Sequence, residues 1–412
     1  MTNKRLFLTL LGLFLMFQLS AALIYVVNSG SRTLSRIDTE TNEVNNSFAQ
    51  LGITANTMAI DEDHIWVVCS GDNAILELDR HTGAQIRYME VEASSNPYDV
   101  LKIGEYLYVT GLFSDKVYKI SLADGNVAAF LDVPVSPQGL ATDGEYLYVA
   151  VTGGYHMNYA DSRVCVINLS DFTIETSINV WTNPQFVVVH NGKLHVSSAG
   201  NWQNITGKVQ IIDIPSWQIE ATVELGGQPG SLWIANDERA LVGDAYGAGF
   251  YMYMADTYQI LNGYGNLMQP GGYVVDGTDN EIAVLQYIYE QDCIVYLLNY
   301  DLSIKTQYST AISSSDLKFY TSPTSNDDLV LQPKLNVYPN PVVKNGVLNF
   351  ESESKSPMKV SLYDIRGRKV LETQSSSGNV SLDLAGKALS SGMYLYKIQQ
   401  RDRIKTGKII AM

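Results

Sequence analysis

Between residues 23 and 320 one short pattern returns seven times, and no other feature of the chain restricts its fold so tightly. Each return opens on a compact apolar run: Ile24-Tyr25-Val26-Val27, Ile65-Trp66-Val67-Val68, Leu107-Tyr108-Val109, Leu147-Tyr148-Val149, Leu194-His195-Val196, Ala240-Leu241-Val242 and Ile282-Ala283-Val284. Successive runs start 40 to 47 residues apart. That is the length of a four-stranded unit that cannot bury its own apolar faces and stacks against neighbours instead. In the third unit four strands, A to D, fit residues 98–103, 106–110, 116–121 and 127–133, and Val117-Tyr118-Lys119-Ile120 shows the alternation of a half-buried strand.

The turns agree with this division. Asp38-Thr39-Glu40-Thr41-Asn42, Arg80-His81-Thr82-Gly83 and Ala123-Asp124-Gly125-Asn126 supply the Asp, Asn and Gly residues that tight reversals between C and D need. A proline recurs before strand A, at Pro97, Pro137, Pro184, Pro229 and Pro270, where a missing N–H costs no ladder bond. The first unit begins at its B strand, and Asp316-Leu317-Lys318-Phe319-Tyr320 is a spare strand that would complete it. Pairing the two ends closes a ring and removes the exposed edges that invite aggregation. The expected fold is therefore all-β: a seven-bladed β-propeller over 23–320, with six or eight blades as the alternative because the last two units are degenerate.

Composition narrows the function. Residues 23–333 carry 13 Lys plus Arg against 37 Asp plus Glu, whereas 334–412 carry 13 against 6. An acidic body lacks the clustered cations that release counterions from phosphate, so no nucleic-acid partner is expected. Lys4-Arg5, the apolar run from Leu6 to Phe17 and Ser20-Ala21-Ala22 read as a secretory signal peptide over 1–22, and no transmembrane segment is expected in the mature chain. Cys69, Cys165 and Cys293 each sit alone in an apolar run and read as small buried hydrophobes rather than a disulfide or metal set.

The segment from Leu23 to Thr41, Leu-Ile-Tyr-Val-Val-Asn-Ser-Gly-Ser-Arg-Thr-Leu-Ser-Arg-Ile-Asp-Thr-Glu-Thr, resembles one repeat of the YVTN family of β-propellers, and the likeness fades along about 300 residues. The resemblance implies a fold rather than an activity, since such propellers include surface proteins, binding proteins and lactonase-like enzymes.

A Ser-, Thr-, Asn- and Pro-rich stretch over 321–333 reads as a linker. Residues 334–412 then hold about seven short strands, at 334–338, 347–350, 358–364, 369–373, 380–384, 393–399 and 406–411, which suit a small immunoglobulin-like β-sandwich. Leu335-Asn336-Val337-Tyr338-Pro339-Asn340-Pro341-Val342, Leu362-Tyr363-Asp364-Ile365-Arg366-Gly367-Arg368-Lys369-Val370, Leu389-Ser390-Ser391-Gly392-Met393-Tyr394-Leu395-Tyr396 and Thr406-Gly407-Lys408-Ile409-Ile410 resemble, in order, the motifs of the type A C-terminal sorting domain of type IX secretion. The resemblance implies the type IX machinery as a partner of 334–412 and a secreted or cell-surface location beyond both membranes of a Gram-negative bacterium.

Antiparallel blades send the D-to-A and B-to-C connections to one face, so a site is expected there. Its candidates are Tyr98, Gln138, Tyr155, His156, Tyr159, Gln185, Trp202, Tyr246, Tyr273 and Tyr287, whose rings and amides suit a neutral or glycan-like ligand. Blade capping or contact with a protein partner fits the same residues. His64, His81, His156, His190 and His195 show no metal-ligand spacing, and His195 stands where Tyr25 and Tyr108 stand, as a packing residue. The acidic stretches Asp61-Glu62-Asp63 and Asp276-Gly277-Thr278-Asp279 read as solvated A-to-B turns on the opposite face. The leading expectation is a non-enzymatic binding module with no cofactor. The alternatives are a metal-dependent lactonase-like hydrolase using a divalent cation on the same face, or a structural surface-layer protein.

Overall fold

The computed structural model describes residues 22–321 and 335–411, apart from 344–345, 353–356, 365, 378, 388–389 and 401–402. The expected signal peptide and linker lie outside the described residues except for their edge residues 22 and 321, as do Ile365 and Leu389 of the tail motifs. Seven four-stranded antiparallel sheets follow one another over 23–320, as the sevenfold repeat predicts.

Blade 3 is typical, with A at Pro97–Ile103, B at Tyr106–Gly111, C at Lys116–Ser121 and D at Val127–Asp132. Blade 1 is composite. Its A strand, Ser314–Tyr320, pairs with B, Leu23–Asn28, matching Tyr320 to Leu23 and Leu317 to Val26. The A strands form the innermost layer, and each contacts the next all the way round, including Val274–Gly277 with Ser314–Tyr320 and Ser314–Tyr320 with Ala55–Ile60.

The B strands are apolar on both faces because both faces are buried between blades. In blade 1, Tyr25 and Val27 pack with Ile65, Val67 and Leu76 of blade 2, whereas Ile24 and Val26 pack with Ala283, Leu285 and Val295 of blade 7. One apolar cluster lies at each of the seven junctions. Each fully buried aliphatic side chain contributes about 1.5–3 kcal/mol, so the ring holds together through its junctions rather than through any single sheet. The D strands face outward and alternate, as in Val44–Gln50, which explains why they carry the polar residues.

Residues 335–411 form a three-stranded sheet packed with a four-stranded one over Leu348, Phe350, Val360, Leu362, Ile398 and Ile409, a small β-sandwich. Among the described residues no helix is long and apolar enough to cross a membrane.

Candidate functional site

The residues after the recurrent prolines are aimed by a bulge that repeats near the start of strand A. In blade 3, Pro97 faces Gly111 and Val100 faces Val109, so Tyr98 and Asp99 together oppose Thr110 alone. Blades 2, 4, 5 and 6 shift register at the corresponding place. The two-against-one count takes these side chains out of the ladder and turns them towards the axis. Hydroxyls satisfy the freed backbone: Thr110 Oγ1 accepts from Asp99 N–H (3.0 Å) and donates to the Gln138 carbonyl of the next blade (2.9 Å).

A cavity of about 660 Å³ occupies the channel between the A strands. Of the ten sequence candidates, Tyr98, Gln185, Trp202, Tyr246, Tyr273 and Tyr287 line it. Gln138, Tyr155, His156 and Tyr159 do not. They line a separate groove of about 350 Å³ with Phe113, and Gln185 belongs to both spaces.

The loops that present these rings are held by buried amides and carboxylates. Asn201 Oδ1 accepts from the backbone N–H groups of Gln203, Asn204 and Ile205 (2.8–3.1 Å), and its amide donates to Asn204 (2.9 Å) and to Asn158 in the neighbouring loop (3.4 Å). Gly200 has φ +78°, and a Cβ there would lie 2.0 Å from the Ile205 carbonyl oxygen, so only glycine fits. Trp202 itself sits at φ 62° and meets Tyr246 edge-on at 6.1 Å. Asp244 accepts from Tyr251 Oη (2.6 Å) and from the N–H groups of Tyr246 and Ala248, fixing the second loop. Gln185 donates to Asn183 Oδ1 at 3.3 Å, and Asn183 donates to the Gly200 carbonyl at 3.0 Å.

Deeper in the channel stand four charged residues that sequence reasoning did not select: Asp99, Asp276, Asp316 and Lys318. The reading of Asp276 as a solvated turn is corrected. Strand A of blade 7 runs to Gly277, so Asp276 pairs with Ala283 and its carboxylate accepts from Phe319 N–H of the next blade at 2.8 Å. Asp99 and Asp316 likewise accept from Leu140 N–H and Met58 N–H of the following blades, both at 2.9 Å. These carboxylates stitch blade to blade, which no local pattern announces. Asp279, by contrast, is an exposed turn residue as expected.

Burial pushes the Asp99 carboxyl up to about 6, Lys318 opposing, and it also raises Asp276 and Asp316. The Lys318 ammonium is held above its ordinary range chiefly by Asp316, then by Asp276 and Asp99. Protein surrounds it, yet its side chain stays accessible to water in the channel, and among the described residues no carboxylate lies within ion-pairing distance. Burial and the charges of Asp99 and Asp316 push the Tyr98 phenol up to about 12, and burial raises Tyr273 well above its usual value. Both phenols therefore stay protonated and can donate.

His195 is buried at the blade 5–6 junction, shares a hydrogen bond with Tyr253 Oη (2.7 Å) and is pushed down to about 3 by burial, so it packs as a neutral ring. The three cysteines are buried free thiols. Among the described residues no group of three His, Cys, Asp or Glu side chains is placed to hold a metal ion.

In the tail the motif residues are fold determinants. The Asn340 amide donates to the Lys408 carbonyl (3.1 Å) and accepts from Ile410 N–H (3.0 Å), clamping the final strand. A Cβ on Gly407 would lie 2.3 Å from the Tyr396 ring, Gly367 (φ 78°) and Gly392 (φ 149°) take backbone geometry that favours glycine, and Tyr394 Oη donates to the Ser390 carbonyl (2.9 Å). Tyr338, Pro339 and Asn340 lie exposed on the strand-end loop that precedes Pro341, and Tyr338 Oη donates to Glu351. Residues 336–412 match the family described as the secretion system C-terminal sorting domain. The tail is a type IX sorting domain. A chain that carries it is exported across the outer membrane to the cell surface or medium, and its tail engages the type IX machinery.

The rest of the chain is similar in fold to a protein of unknown function from Desulfotomaculum acetoxidans, with 13% identity over 73% of this chain and 99% of the other at a TM-score of 0.58. It is also similar to apo AztD from Citrobacter koseri, with 8% identity over 73% and 98% at a TM-score of 0.53. No curated protein matches the chain in sequence. At these identities the likeness is one of fold alone, and the fold is a β-propeller.

Proposed function

We propose that the protein is an exported binding module whose propeller, built from YVTN-type repeats, takes a neutral hydroxyl-rich ligand of the glycan class into the mouth of its channel. One observation carries the reading. The 660 Å³ cavity holds protonated phenols on Tyr98 and Tyr273 and an unpaired ammonium on Lys318, below rings of Trp202, Tyr246 and Tyr287. Its volume lies within the usual range for small-molecule sites.

Rings stack on the apolar faces of sugar rings, while phenols and ammonium donate to hydroxyl oxygens and carboxylates accept from them. Three aspartates against one lysine disfavour an anionic ligand. Residues 334–412 serve delivery, ending in surface attachment or release. The test is titration of neutral oligosaccharides into the mature protein, followed by tryptophan fluorescence. Saturable quenching that Trp202→Ala removes supports the reading, and failure of every neutral glycan to bind sinks it.

A further inference from the structure

The inward members of the tail motifs build the sandwich, but the same motifs also place apolar side chains where the core has no use for them. In the four-stranded sheet, Tyr394, Ile398 and Ile409 point into the core, so strand alternation turns Met393, Leu395 and Ile410 outward. An antiparallel sheet with one solvated face ordinarily carries polar residues there. Met393, Leu395 and Ile410 are instead 50%, 45% and 47% exposed.

These side chains are contiguous. Met393 lies directly opposite Ile410, and Leu395 stands between Lys408 on one neighbouring strand and Tyr363 on the other, at strand spacings of about 5 Å. At the sheet edge Val342 bridges to Ala411, and Val343 beside it is 58% exposed. Two ammonium groups flank the patch: Lys397 and Lys408 share its face, and among the described residues neither has an ion-pair partner. The remaining tail surface is satisfied. On the other half of the same face Glu372 pairs with Lys359 and Lys369 and accepts from Ser361 Oγ. The outer face of the three-stranded sheet is polar, with Ser381 donating to Asn349 and Tyr338 to Glu351. An exposed apolar patch flanked by unpaired charge has the make-up of a protein-contact surface.

We infer that the outer face of Gly392–Gln400 and Arg403–Ala411 is the surface by which the tail docks on the type IX machinery, and that the partner offers an apolar centre flanked by carboxylates. The occupant follows from the residues that make the patch. They belong to the sorting motifs: Tyr363 to the second, Met393 and Leu395 to the third, Lys408 and Ile410 to the last, all within the matched sorting domain. Packing explains the buried motif residues Tyr394 and Ile409, and contact with the machinery explains the exposed ones.

The test follows the full chain in a Gram-negative host that has a type IX system, reading the fraction delivered outside the outer membrane. One variant is Met393→Thr, Leu395→Thr, Ile410→Thr, which removes the apolar surface but keeps strand-favouring side chains. A second is Lys397→Glu, Lys408→Glu. The control is Val347→Thr, at a residue 45% exposed on the other sheet. Both variants are expected to lower delivery at least ~10-fold, with the chain held in the periplasm and its tail as protease-resistant as wild type, while the control is delivered normally. Should the threonine variant's tail prove protease-sensitive, the lysine variant, which removes no core packing, decides. Wild-type delivery of either variant overturns the inference and leaves the face to a second copy of the chain or to its own acidic propeller. An equal loss in the control overturns it as well.

Discussion

Leu317→Ala tests whether the ring is closed by its own two ends. Leu317 is fully buried in the strand that residues 314–320 add to blade 1, opposite Val26, and it packs in the cluster that joins blade 7 to blade 1 through Ile24, Ala283, Leu285 and Val295. Truncating a leucine in such a site costs about 2–5 kcal/mol, the lost transfer energy plus the cavity left behind. For a domain of about 300 residues that lowers the midpoint of thermal unfolding by roughly 3–8 °C. The assay is thermal unfolding followed by circular dichroism on the mature chain, with Val127→Ala on the outer strand of blade 3 as control. Val127 is 37% exposed, and its truncation should cost no more than about 0.5 kcal/mol. If Leu317→Ala unfolds with the control, residues 314–320 do not close the ring and the blade count argued here is wrong.

Further outcomes follow from the site and the tail. Gly200→Ala should weaken glycan binding more than it lowers stability, because the added Cβ displaces the loop that carries Trp202; calorimetry beside thermal unfolding separates the two. Asp99 has a folded pKa of about 6, above the ordinary carboxylate value of about 4. Its native state therefore gains protons first, and its destabilising charge is relieved as pH falls through about 6. Wild type should gain stability relative to Asp99→Asn between pH ~7.5 and ~5, and a pH-independent difference would contradict the burial of that charge. Gly407→Ala should destabilise the tail sandwich by pushing aside the outer end of the Tyr396 ring, with faster tail-specific protease cleavage as the readout. Deleting residues 334–412 should leave the protein in the periplasm, and unchanged delivery to the exterior would remove the sorting role.

Much of the fold was legible because burial on both faces writes itself into the B strands. Ile24-Tyr25-Val26-Val27 is apolar throughout since its alternate residues face different blades. The spare strand at 316–320 was legible by counting, because the first unit begins at its B strand and the last has one strand over, and the tail strands were marked by turn residues such as Gly367 and Gly392, whose backbone angles need them. The channel charges were not. Asp99, Asp276 and Asp316 lie in blades 3, 7 and 1, and only ring closure brings them together around Lys318. Nor does the Asp276-Gly277-Thr278-Asp279 pattern show where strand A of blade 7 ends, which is why Asp276 read as a turn although it pairs with Ala283. The mouth aromatics were reachable from topology alone, but their division between Tyr98, Trp202 and Tyr273 in the channel and Tyr155, His156 and Tyr159 in the groove depends on loop conformations such as those at Gly200 and Asn201 that propensity does not encode.

Amide hydrogen exchange on the mature protein, alone and saturated with its best-binding neutral oligosaccharide, would place the ligand. Protection is expected around Tyr98, Gln185, Trp202, Tyr246 and Tyr273, on four different blades at one mouth. Protection confined to the A-to-B turns of the opposite face, or to residues 335–411, would contradict the site.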